Sequence, residues 1–76
     1  MNVFPNPNDG LFSIFINKNG KYLATIYNML GEKMWSNEIS DQYQMDMRNY
    51  SKGQYMLEII DLKNTHQKAT KSVTIN

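Results

Sequence analysis

The side chains of this chain that could do chemistry are few, and they do not form a catalytic pattern. His66 is the only histidine, and there is no cysteine. Neither a Cys nucleophile nor a Cys/His metal cluster can therefore be assembled. The carboxylates fall mostly at predicted turns or on polar strand faces, and they are Asp9, Glu32, Glu38, Asp41, Asp46, Glu58 and Asp61. We predict that the chain is not an enzyme and binds no cofactor.

Residues 6–10 (Asn-Pro-Asn-Asp-Gly) carry several side-chain oxygens ahead of a glycine, which raises the question of a calcium loop. A loop of the D-x-[DN]-x-[DN]-G type needs ligands at its first and third positions. Pro5 and Pro7 occupy those two positions here. The spacing of residues 5–10 does not match a calcium loop, and we predict no metal site.

Size and charge narrow the classes of protein further. The chain has 76 residues, enough for one small domain, and a domain of this size buries only about 60% of its unfolded surface. Its net charge is +1, with eight basic and seven acidic residues. The lysines are scattered along the chain, whereas nucleic-acid binders usually concentrate them, so we predict no nucleic-acid partner. No apolar stretch approaches the roughly 18 residues that cross a bilayer.

The hydrophobic pattern has a period of two almost throughout, as in half-buried strands. Phe12, Ile14 and Ile16, for example, alternate with residues of a more polar face. The pattern predicts strands at residues 2–4, 11–17, 21–28, 32–37, 42–48, 53–61 and 67–75. Strands at this spacing, without a convincing helical stripe, predict an all-β fold, an immunoglobulin-like antiparallel β-sandwich of about seven short strands.

Turn residues separate the predicted strands. Glycine and asparagine predict turns at residues 8–10, 30–32 and 51–53. Residues 17–20 (Asn-Lys-Asn-Gly) predict a hairpin loop, and residues 61–67 a last hairpin. With no disulfide available, one apolar core must hold the fold together. We expect that core to include Phe12, Ile26, Tyr55 and Leu57.

Three blocks follow one another along the chain. The first is a proline-rich turn at residues 4–10, the second a strand and glycine turn at 26–33, and the third leads through a glycine into a strand at 45–55. Together with the alternating basic tail at 68–75, they resemble the C-terminal sorting domain (type A) of proteins exported by the type IX secretion system. The residues that carry the resemblance are Phe4, Pro5, Asn6, Pro7, Gly10, Asn28, Gly31, Gly53, Tyr55, Lys71, Val73 and Ile75.

Elementary chemistry explains several of these residues. Pro5 and Pro7 lack an N–H, so the first strand cannot continue as a ladder through them. Gly31 permits a tight turn that Asn28 can cap with its own side chain. A buried Tyr55 needs a partner for its hydroxyl. Methionine stands at several positions where the family usually carries aliphatic residues, a substitution that cores tolerate.

The resemblance implies a non-catalytic secretion signal. We expect residues 1–76 to be a single sorting domain excised from the C-terminal end of a longer exported protein. The implied partners are an N-terminally fused cargo domain, the type IX translocon and a sortase-like peptidase that removes the domain. The implied location is the periplasm in transit, and then the cell surface or the medium.

Two further hypotheses concern surfaces. Lys71 reads as a solvated charge on an edge strand, and recognition by strand addition at this or another edge is our hypothesis; an edge-strand dimer is the related possibility. The alternative function is a carbohydrate-binding or adhesive β-sandwich, with Trp35, Tyr43 or Tyr50 as an exposed platform.

Overall fold

The computed structural model describes all 76 residues and contains seven strands. Each strand end lies within two residues of the predicted one. No helix of the structure is long and apolar enough to cross a membrane. The strands are β1 (Asn2–Phe4), β2 (Leu11–Phe15), β3 (Tyr22–Asn28), β4 (Lys33–Ile39), β5 (Gln42–Asp46), β6 (Gly53–Asp61) and β7 (Lys68–Ile75).

The strands form two antiparallel sheets that pack as a sandwich. The first sheet has the order β1-β2-β5, and the second has the order β4-β3-β6-β7. In an immunoglobulin domain, strands A, B and E lie together in one sheet and strands C, F and G in the other. The pairings here follow that arrangement, with β4 added beside β3 in the second sheet. The predicted all-β, immunoglobulin-like sandwich is confirmed.

The core lies between the two sheets and consists of fourteen buried hydrophobic side chains. They alternate along each strand, because successive side chains of a strand point to opposite faces. Phe12 lies on β2 of the first sheet and Leu57 on β6 of the second sheet, and their side chains are 2% and 0% exposed. Ile26 and Tyr55, the other two residues expected in the core, are also buried.

The prediction of a hairpin at residues 17–20 is wrong. β2 already pairs with β1 on one side and β5 on the other, so the chain cannot fold back beside it and crosses to the second sheet. The Tyr22 hydroxyl closes this crossover by donating to the Lys18 carbonyl oxygen at 2.5 Å.

A second crossover, between β5 and β6, is closed in the same way. The Tyr55 hydroxyl donates to the Ser51 carbonyl oxygen at 2.5 Å, which supplies the partner expected for this buried side chain. A tyrosine at the start of strand F that bonds to the backbone a few residues upstream is the tyrosine corner of immunoglobulin-like sandwiches. Two of the three passages between the sheets, β2 to β3 and β5 to β6, are therefore closed by a tyrosine hydroxyl.

Two leucines provide a direct test of this packing. Leu57 is 0% exposed and Leu30 is 86% exposed. We predict that Leu57→Ala lowers the free energy of unfolding by about 2–5 kcal/mol, since it leaves a cavity, and that Leu30→Ala changes it by less than about 0.5 kcal/mol. Urea unfolding followed by Trp35 fluorescence measures both. Equal losses in the two variants would contradict the described core.

Candidate recognition site

The residues of the three blocks and the tail meet at one end of the sandwich. Asn28 is the register partner of Tyr55, and Tyr55 is the partner of Val73. In the next row, Gly53 pairs with Ile75, which forms a parallel bridge with Asn8. We call this end, formed by residues 4–11, 28–33, 46–55 and 71–76, the motif end. Residue 1 and the turns at 16–21 and 61–67 lie at the opposite end.

Asn6 fastens the proline-rich turn to β7 through its side chain. Its Nδ2 donates to the Ser72 carbonyl oxygen at 2.9 Å, and its Oδ1 accepts from the Thr74 amide at 3.1 Å. A strand residue would make the same donor and acceptor pair with its backbone. The Asn6 amide therefore takes the place of one strand residue along the outer edge of β7.

Asn8 continues this pairing with its backbone. Its N–H donates to the Thr74 carbonyl oxygen at 2.9 Å, and its carbonyl oxygen accepts from Asn76 at 2.7 Å. Its buried side chain holds the turn itself, donating to the Pro5 carbonyl oxygen and accepting from the Gly10 amide. We call residues 5–8 the clasp, because they bind the beginning of the chain to its last strand.

The two prolines lie on the exposed side of the clasp, and the peptide bonds that precede Pro5 and Pro7 are both cis. Phe4, just before them, is 57% exposed and stacks on Phe15 with ring centroids 5.2 Å apart. These residues present an exposed, partly aromatic surface. The side-chain oxygens of Asn6, Asn8 and Asp9 accept hydrogen bonds from the backbone amides of Thr74, Gly10 and Leu11, respectively.

Gly10 lies where the clasp meets the turn after β5. Its φ is +115°, and a Cβ added there would lie 2.9 Å from the backbone N and Cα of Arg48. Its carbonyl oxygen accepts from the Met47 amide at 2.6 Å. Both the backbone conformation and the close approach require glycine.

Asp46 and Arg48 form a charged pair beside Gly10. The guanidinium donates to both carboxylate oxygens, at 3.0 and 2.9 Å, and the Arg48 amide also donates to the carboxylate at 3.0 Å. These hydrogen bonds lower the pKa of Asp46 to about 2. Because both side chains are more than half exposed, the pair orders the turn rather than adding much stability.

Asn28 caps the hairpin between β3 and β4, as expected. Its Oδ1 accepts from the amides of Leu30 and Glu32 at 3.0 and 2.9 Å, and its Nδ2 donates to the Glu32 carboxylate at 2.8 Å. Gly31 has φ +84° and no atom within 4 Å of an added Cβ, so the backbone conformation alone calls for glycine there. Gly53 has φ +142° at the start of β6.

Comparison with known proteins identifies the family. The model of the secretion system C-terminal sorting domain matches residues 2–76. The chain belongs to this family. No curated protein sequence matches the chain. Membership makes the chain a type IX secretion signal for an N-terminally fused cargo, which is exported to the cell surface or the extracellular space.

In this sorting domain, β7 is an edge strand, and the clasp covers only its second half. Lys71, Val73 and Ile75 share one face of β7, but Lys71 is exposed while Val73 and Ile75 are 1% and 3% exposed. Lys68, nearer the start of β7, lies 3.6 Å from the Glu58 carboxylate. Of the three tail residues assigned to sorting, only Lys71 therefore offers its side chain to a partner.

The aromatic residues required by a glycan platform are turned toward the protein. The Trp35 and Tyr43 rings lie 5.8 Å apart at a tilt of 34°, and both side chains pack against the core, as does Tyr50. The sorting domain has one open cavity, of about 480 Å³, and it lies at the opposite end beside Met1, Ile16 and Tyr22. Neither feature adds a ligand site to the motif end.

Sequence reasoning missed several residues of the motif end. Asn8 and the Asp46–Arg48 pair were not assigned to the site, although the Asn8 side chain is buried and bonds to Pro5 and Gly10, and the Asn8 backbone bonds to β7. The available signal was the order Asn-Asp-Gly after a proline, which predicts a turn with side-chain hydrogen bonds. That signal predicts the turn but not its contact with β7.

The clasp predicts a specific stability effect. Asn6→Ala removes both side-chain hydrogen bonds to β7, and we expect the free energy of unfolding to fall by about 1–2 kcal/mol. The matched control is Asn19→Ala in an exposed loop, where we expect less than about 0.5 kcal/mol. Urea unfolding and amide hydrogen exchange at Thr74 measure the change. Unaltered exchange at Thr74 would contradict the clasp.

Gly10 and Gly20 form a second matched pair. Gly10→Ala forces a side chain into a positive φ and against the Arg48 backbone, so we expect a loss of about 2–4 kcal/mol. At Gly20 an added Cβ would meet Tyr22 at 3.6 Å, an ordinary contact, and the φ is not positive. Gly20→Ala should be neutral or stabilise by up to about 1 kcal/mol. Thermal unfolding distinguishes the two, and similar melting temperatures would refute the predicted role of Gly10.

Proposed function

We propose that this sorting domain carries a cargo protein through the periplasm and across the outer membrane by presenting its motif end to the type IX translocon. A sortase-like peptidase then removes the domain, and the cargo is released or attached to the cell surface. The domain itself catalyses nothing. The observation that carries the proposal is the meeting of the three sequence blocks and the tail at one end of the fold.

The position of residue 1 supports this orientation. A cargo joined ahead of residue 1 is attached at the end of the sandwich opposite the motif end. The longest dimension of the domain is 33 Å. Cargoes of different shapes would then leave the motif end uncovered. A signal carried by unrelated proteins needs this separation between the surface that is recognised and the point of attachment.

The uncovered half of β7 is the place where we propose that a partner strand adds. The clasp takes the outward carbonyl oxygen of Ser72 and the outward N–H and carbonyl oxygen of Thr74. Because alternate residues of an edge strand point their N–H and C=O outward, Lys68 and Thr70 present the unpaired groups. Strand addition at these residues would bind through the backbone and demand little of the side chains.

Two of the three other edge strands, β1 and β4, offer a poorer template. β1 is three residues long, and the pairing of β4 with β3 is interrupted by a bulge between Ile26 and Tyr27. Short or bulged edges are poor sites for pairing. The free half of β7 would also be the contact of an edge-strand dimer, which we propose only as a competing use of the same groups.

Export of a reporter tests the proposed function. Residues 2–76 are fused behind a periplasm-directed fluorescent protein in a type IX-competent host and in its translocon-deficient twin. We expect extracellular reporter only in the competent host. Reporter retained in the periplasm of both hosts, with the domain shown to be folded, would reject the proposal for that machinery.

Thr70→Pro tests strand addition without opening the ladder between β6 and β7. The outward N–H of Thr70 is lost, while proline is tolerated on edge strands whose N–H faces solvent. We expect export to fall about five- to tenfold or more, the equivalent of one or more lost hydrogen bonds. Thr70→Ala keeps the N–H and should export normally.

The two variants must first be shown to melt at similar temperatures. A Val73→Pro change is less informative, because the Val73 N–H faces β6 and its side chain is 1% exposed, so unfolding would explain a loss. Folded Thr70→Pro protein that is exported as well as wild type would rule out strand addition at this edge. Size-exclusion chromatography of the same variants reports on the dimer.

A further inference from the structure

The hairpin between β3 and β4 carries the most exposed hydrophobic side chain of the domain. Leu30, at its tip, is 86% exposed, and Met29 beside it is 63% exposed. Met34, on the returning strand, is 38% exposed. A single exposed leucine is ordinary, but Met29 and Leu30 side by side on the turn, with Met34 on the same hairpin, give a small apolar surface.

Folding does not account for these side chains. The hairpin is already closed by the Asn28 amide and by two backbone hydrogen bonds, from Asn28 to Glu32 and from Gly31 to Asn28, both at 3.0 Å. Polar residues and glycine are the usual choices for such a tip. Leu30 adds no packing to the core, because it is almost fully exposed.

The tip is also rigid. Asn28 binds three groups of the turn with its side chain, including the Glu32 carboxylate at 2.8 Å, and Gly31 holds φ +84°. A backbone held in one conformation loses little conformational entropy on binding, which favours recognition by a partner of fixed shape. The hairpin therefore presents Leu30 much as an interface presents an anchor residue.

We propose that Leu30, flanked by Met29, inserts into an apolar pocket on a protein component of the export machinery. The inference rests on the proposed function and deepens it by naming the side chain that anchors the motif end. The proposed contact at Leu30 is separate from the β7 edge, because β3 and β4 lie on one side of β6 in the second sheet and β7 lies on the other side.

The size and charge of this small apolar surface favour a protein pocket over other occupants. A stable dimer buries roughly 800 Å² on each partner, far more than two side chains offer. A bilayer anchor usually combines aromatic residues with a basic rim, whereas residues 28–33 contain no aromatic residue and their one cation, Lys33, is preceded by the acidic Glu32. A leucine-sized anchor on a rigid turn fits a shaped pocket.

The test replaces Leu30 by Asn in the reporter fusion of residues 2–76. Loss of a buried leucine contact corresponds to about a tenfold or larger reduction in affinity, and we expect extracellular reporter to fall accordingly. The matched control is Leu62→Asn, a leucine that is 41% exposed in the hairpin at the opposite end. Leu62→Asn should export normally, and both variants should melt like wild type.

The outcomes separate this inference from the proposed function. If wild type fails to leave the competent host, the proposed function fails; if wild type and Leu30→Asn are exported equally, only the pocket is refuted. A photocrosslinking residue at position 30 should yield a protein adduct that the same residue at position 62 does not. Leu30-dependent flotation of the purified domain with phosphatidylethanolamine–phosphatidylglycerol vesicles would overturn the pocket in favour of a bilayer.

Discussion

The pairing of the clasp with β7 is the interaction on which the rest of the motif end depends. Asn6 supplies a donor and an acceptor to Ser72 and Thr74, and Asn8 adds two backbone hydrogen bonds. These bonds join the first strand of one sheet to the last strand of the other, so they close one side of the sandwich. They also divide the edge of β7 into a covered half and a free half. In this domain without disulfides, the Asn6 side-chain amide closes the sandwich by making the hydrogen bonds of a strand residue.

The fold was predictable because its sequence signal is local, and much of the site was not, because its contacts are distant. Alternation in residues 11–16 and 53–61 placed Phe12 and Leu57 in the core, and the glycine at position 31 located a turn. The partner of Asn6 lies 66–68 residues away, and no local pattern reveals it. The hairpin expected at residues 17–20 failed for a related reason: turn chemistry shows where the chain bends, while the occupied edges of β2 decide where it goes.

The residues of the motif end therefore serve two different purposes. Gly10, Tyr55, Val73 and Ile75 are buried and maintain the fold, since Tyr55 closes a crossover and Gly10 meets the Arg48 backbone. Lys71 and Leu30 are exposed and contribute little to packing. Export defects at the first group follow from unfolding alone, because a small domain has little stability to lose. Only the exposed group reports on recognition.

A folded signal of this kind can be recognised through its backbone as well as through its side chains. Unpaired backbone groups at Lys68 and Thr70 are the same for almost any side chain, so recognition of an edge tolerates substitution. An edge alone, however, is a template for many strands. A second contact at a fixed distance, such as the hairpin tip, would exclude most of these strands, because a partner must then contact the β7 edge and the tip at the same time. Edge and tip both belong to the second sheet, so the pairing of β4 with β3, of β3 with β6 and of β6 with β7 sets the distance between them.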